Sequence, residues 1–96
     1  MQPKKDLVIY DDKTFDSYHG LTAKIGDNGD LILEGIDAGK DVEELFGDSD
    51  FEYWLTIPKD FKETILLHLI KERFTSAHDM KAWLEQKEIP ATFESC

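Results

Sequence analysis

Between Asp48 and Ile57 the chain reads DSDFEYWLTI, an alternation of polar and apolar side chains. An extended backbone turns successive side chains to opposite faces. Phe51, Tyr53, Leu55 and Ile57 therefore share one side, while Asp48, Asp50, Glu52, Trp54 and Thr56 share the other. One face suits a core; the other is acidic and carries one large ring. This stretch demands a sheet, and the rest of the chain must be read around it.

Upstream, the β-branched and apolar run at residues 6–10 reads as a strand that stops at Asp11-Asp12-Lys13. Residues 18–37 read as a hairpin turning at Asp27-Asn28-Gly29. A three-residue loop with Gly29 in the left-handed region sets Ile25 opposite Leu31, Ala23 opposite Leu33 and Leu21 opposite Gly35, which gathers the apolar residues on one face. A two-residue Asn-Gly turn would place Glu34 opposite Ala23, on the apolar side. Residues 41–47 predict a short helix, with Asp41 and Glu44 as a capping box and Gly47 as terminator.

Pro58 ends the alternating strand, and Asp60 with Glu63 predicts a second capping box ahead of a helix over 61–74. Its apolar arc, from Phe61 through Ile65 and Leu69 round to Leu67, is broad enough to imply cover on more than one side. Ser76 and Asp79 predict the start of a last helix, on which Met80, Trp83 and Leu84 form a core stripe, ended by Ile89-Pro90. The tail to Phe93 reads as a strand or a packed arm. The order is that of an α+β fold: an antiparallel sheet of about four strands with two C-terminal helices packed on one face. Ninety-six residues suffice for a single domain, 1–96, and are too few for two independent cores.

Charge restricts function more than size does. The chain carries 21 acids and 11 bases, a net −10. A phosphate backbone would be repelled, so nucleic acid is not an expected partner. Residues 1–57 hold 14 acids and 5 lysines, and residues 37–52 alone carry seven acids and one lysine. Cys96 is the only cysteine, so neither an intramolecular disulfide nor a cysteine-rich zinc site can form. With no signal-peptide pattern, no run approaching a membrane span and no C-a-a-X box, the expectation is a cytoplasmic protein without membrane attachment.

Several catalytic and metal readings fail on residue type. A calcium loop starting at Asp48 needs Gly at its sixth position and Glu at its twelfth, where this chain has Tyr53 and Lys59. The Asp27–Asp30 turn is acidic, but turn chemistry alone accounts for its residues. Asp48, Asp50 and Glu52 are the acids of one strand face, with no second group to set one carboxyl apart from another as acid–base catalysis requires. His19, in a loop, His68, bonded to Glu72 on a helix edge, and His78, at a helix start, form no ligand pattern. Neither a serine-nucleophile elbow nor a phosphate-binding glycine pattern occurs. The expectation is a non-enzymatic protein with no catalytic residue, metal or cofactor.

The stretch from Gly47 to Ile57, followed by the leucine-rich run at 65–74 and KAWLEQKEIPATFES at 81–95, resembles a set of small acidic bacterial α+β proteins of uncharacterised function. The likeness spans residues 30–95. It implies a bacterial cytoplasmic origin and the same fold class, and it brings no functional residue with it.

What remains is Trp54 among carboxylates. Tryptophan is enriched in binding hot spots, and acids around it steer a basic partner. Asp48, Asp50, Glu52 and Trp54, with Glu43 and Glu44 nearby, form the expected partner-binding face for a basic protein, of which an immunity-type inhibitor of a cationic toxin is the most concrete version. Two alternatives stand beside it: a divalent-metal-dependent protein or enzyme using the same acids, and a homodimeric structural protein whose acidic strand is an edge guarded by charge.

Overall fold

The structure, a computed structural model, describes residues 3–40 and 50–95. The helix expected at 41–47, its Asp41–Glu44 capping box, and the proposed contact residues Glu43, Glu44 and Asp48 lie outside the described residues. Four strands are followed by two helices: β1 (Asp6–Lys13), β2 (Ser17–Ile25), β3 (Leu31–Gly39), β4 (Asp50–Ile57), a 3-10 turn at Lys59–Phe61, α1 (Lys62–Arg73) and α2 (Ala77–Gln86). This is the expected α+β class. Contacts group the chain into two compact units, Lys4–Lys62 and the residues from Glu63 onward, each described by itself.

In the first unit the sheet is an antiparallel meander in the order β1-β2-β3-β4. The β2–β3 hairpin has the register that the apolar pattern demands, with Ile25 opposite Leu31, Ala23 opposite Leu33 and Leu21 opposite Gly35. Its loop closes through Gly26 N–H donating to Asp30 O at 2.8 Å, and Gly29 lies at φ +95°, a region that costs a side-chain-bearing residue strain. Asn28 Oδ1 accepts the Asp30 N–H at 3.1 Å, and Asp30 Oδ1 accepts the Lys59 N–H at 2.9 Å, which ties the end of β4 to this turn.

β1 runs further than its apolar residues. It continues through Asp11, Asp12 and Lys13, with the register shifting between Val8 and Tyr10. The acids do not end it because β1 is an edge strand, where charged side chains stay in water, and because Asp6 faces Lys24 and Asp12 faces His19 across the ladder.

β4 pairs with β3 over its full length, Ala38–Asp50 to Leu31–Ile57. The three registers place Leu7, Leu21, Ala23, Ile25, Leu31, Leu33, Leu55 and Ile57 on one face, as their alternation predicts. The burial contrast along β4 is weak, however. Tyr53 and Ile57 are half-buried, while Phe51 and Leu55 are 42% and 56% exposed.

Close approach explains one glycine. A Cβ on Gly35 would stand 2.1 Å from Tyr53 Cζ, so the ring lies where only a glycine leaves room. From there the Tyr53 hydroxyl meets that of Tyr10, on the opposite edge strand. The pair spans the width of the sheet on the apolar face.

In the second unit the helices start by different means. The chain enters α1 through the 3-10 turn, with Phe61 N–H donating to Pro58 O at 3.0 Å. Asp60 falls inside this turn, which no side chain caps, so the expected Asp60–Glu63 box does not form. Helix α2 does have its cap: Ser76 Oγ accepts the Asp79 N–H at 3.1 Å, and the Thr75 hydroxyl donates to Asp79 Oδ2 at 2.5 Å.

Beyond Gln86, Glu88 N–H reaches Glu85 O at 3.1 Å and Ile89 N–H reaches Leu84 O at 2.9 Å, a paired closure that needs a left-handed residue between them. Glu88 supplies it at φ +58°. No residue of either helix is buried. Trp83, expected in a core, is half-buried and meets Phe74 edge-on at 5.6 Å. The tail is an arm rather than a strand, with Phe93 against His78 at 5.2 Å.

Candidate functional site

Trp54 lies on β4, which among the described residues has a strand neighbour on one side only. Its indole is 56% exposed. Directly across on β3 is Glu34, and the indole N–H donates to Glu34 Oε1 at 3.0 Å. The second carboxylate oxygen accepts from Lys24 Nζ of β2 at 2.9 Å. Glu34 thus bridges three strands and holds the ring by its polar edge. Bonds from Lys24 and then Trp54, both to the ionised form, keep the Glu34 carboxyl below the ordinary range.

Asp50 and Glu52 share this face with Trp54, as alternation requires. Glu52 makes no hydrogen bond or ion pair with the described residues. Of the six residues expected to meet a partner, the structure therefore brings three together: Asp50, Glu52 and Trp54.

Sequence reasoning missed Glu34, Lys24, Tyr18 and Asp11 on the same face. Tyr18 lies across Gly20, where a Cβ would stand 2.9 Å from its Oη. A bond to the Asp11 carboxylate raises the Tyr18 hydroxyl above its ordinary value, with burial and the negative charge adding to it. These partners follow only once three strands are in register, although the Ile25–Leu31 pairing, extended outward, already sets Thr22 beside Glu34.

The opposite face carries a polar cluster at one end. His19, expected in a loop, sits within β2 with its Nδ1 2.6 Å from Asp37 Oδ1 of β3. Asp12 of β1 is opposite it on the other side. The hairpin simply runs longer than its apolar residues, and the same pairing continued outward would have found this contact. Nearby, the Tyr53 hydroxyl is pushed up to about 12, first by its bond to Tyr10, then by burial and the charge of Asp37. His68 does not bond Glu72. Both side chains are exposed, and water serves each as well.

Among the described residues no three His, Cys, Asp or Glu side chains converge as a metal site would require. No helix among them is long and apolar enough to cross a membrane. Comparison with protein-family models, with curated proteins and with solved structures finds no match to the chain.

Proposed function

We propose that this chain is a non-enzymatic protein-binding module of the bacterial cytoplasm that docks a basic protein through the Trp54 face of its sheet. The observation that carries the reading is an exposed indole, fixed by Glu34 at 3.0 Å, on the same strand face as Asp50 and Glu52. A large ring held in one orientation loses little freedom on binding, which is the property that makes tryptophan a hot-spot residue. The carboxylates beside it add long-range attraction for a positive surface. Glu43, Glu44 and Asp48, near in sequence, belong to the same proposed set of contact residues.

The most concrete partner is a cationic toxin whose nucleic-acid groove is blocked by negative charge, with this chain as the immunity-type inhibitor. Binding should then weaken steeply as salt rises, because counter-ions screen the attraction. Trp54→Ala combined with Glu52→Lys should abolish it. Isothermal titration against a panel of cationic nuclease domains, at low and physiological salt, is the measurement. Affinity indifferent both to salt and to the double substitution would remove the reading.

A further inference from the structure

We infer that the basic partner inserts one arginine side chain into a groove of the Trp54 face, between Tyr18 and Trp54, and sets its guanidinium on Glu52. The inference rests on the reading of this face as the docking surface and adds the group that is recognised there.

The groove is a cavity of about 240 Å³ whose lining includes Asp11, Tyr18, Gly20, Ile36, Glu52 and Trp54. It lies wholly within the sheet unit. Its volume falls below the roughly 300–1,000 Å³ of sites that enclose whole small molecules, and suits a single side chain. Gly20 lets the Tyr18 ring lie close over β2 as one wall of the groove, since a Cβ there would stand 2.9 Å from Tyr18 Oη.

Both rings are fixed at their polar tips, Tyr18 through Asp11 and Trp54 through Glu34. Glu34 is further engaged by Lys24. Of the carboxylates lining the groove, Glu52 is the one that makes no bond to any described residue. A guest must therefore supply a positive donor for Glu52 and a surface for the rings. Val8 and Ile36, also in the lining, favour an apolar stem beneath the charge.

Arginine combines these features. Its guanidinium is planar, stacks on aromatic rings and donates two parallel hydrogen bonds to a carboxylate, whereas an ammonium is a compact, strongly hydrated point charge.

The test uses the full chain and three lysine-rich peptides identical except at the centre, which is arginine, lysine or citrulline, followed by NMR titration at low salt. The arginine peptide should bind about tenfold more tightly than the lysine peptide. It alone should shift the Trp54 indole N–H and the Tyr18 ring signals together. The citrulline peptide, which keeps the shape and loses the central charge, should bind more weakly than the arginine peptide. Gly20→Val, checked for folding by its amide spectrum, should push the Tyr18 ring out of its place in the groove wall and reduce the arginine peptide to the lysine level.

Equal binding of all three peptides, weakened by Glu52→Lys but untouched by Gly20→Val, would overturn the insertion and leave the docking face standing. A lysine peptide that binds as tightly as the arginine one would also overturn it. No binding of any peptide would overturn both readings. The peptide comparison needs no variant, so a misfolded Gly20→Val leaves the inference open to refutation.

Discussion

The Tyr53 ring occupies the space that Gly35 leaves, and its hydroxyl meets that of Tyr10 across the sheet. A neutral phenol in this place keeps its hydrogen bond and avoids facing the Asp37 charge as an anion, which is why its ionisation is pushed from 10.0 to about 12. The folded chain thus holds this proton more tightly than the unfolded one. The stability that follows is complete below the ordinary tyrosine value and is lost as pH rises from there towards 12. Tyrosinate absorbance should show at least one of the three tyrosines ionising late, and Tyr10→Phe should return Tyr53 towards 10.0. A Tyr53 titration unchanged by that substitution would mean the hydroxyl pair does not form in solution. Tyrosine and glycine are both common strand-face residues, and nothing local couples Tyr10 to Tyr53. Their meeting depends on the summed registers of three ladders, so it was beyond a strand-by-strand reading.

Among the elements, α2 ends on its least suited residue. Glu88 takes a left-handed backbone that costs a residue with a Cβ about 1–2 kcal/mol, and glycine is the usual occupant of this closing position. Glu88→Gly should stabilise the chain by about 0.5–1 kcal/mol in a denaturant titration, and a destabilisation would show that the Glu88 side chain contributes more than its backbone costs. The start of this helix was legible because Ser76 and Asp79 signal their bond by spacing alone. The start of α1 was not, since Asp60 and Glu63 have the same spacing but Pro58 and the 3-10 turn draw Asp60 into the turn itself. The β2–β3 hairpin was legible to the residue, because a one-step slip would have put Glu34 among the apolar side chains. The extent of β1 was not: acids read as a strand end are tolerated on an edge. The broad apolar arc of α1 likewise says what the helix has available to bury, and Leu66, Leu67 and Leu69 remain exposed.

At the scale of the whole molecule, excess charge resides in one part of the chain. Residues 1–57 carry 14 acids against 5 lysines, and residues 58–96 carry 7 acids against 6 bases. The negative potential therefore belongs to the part of the chain that contains the sheet. Of the candidate site, the face shared by Asp50, Glu52 and Trp54 was written in their spacing. The groove beside them was not, because its walls come from β1, β2, β3 and β4 together. The meander order has a kinetic consequence. Each strand zips onto its predecessor, so no early event waits for distant segments to find one another, and small closures are the quickest. The three residues between Lys13 and Ser17 and the five between Ile25 and Leu31 are shorter links than the ten between Gly39 and Asp50, and nucleation should begin among the first three strands. In stopped-flow chevrons Ile25→Ala should slow refolding while Leu55→Ala chiefly hastens unfolding, and the reverse pattern would place the nucleus at the last strand.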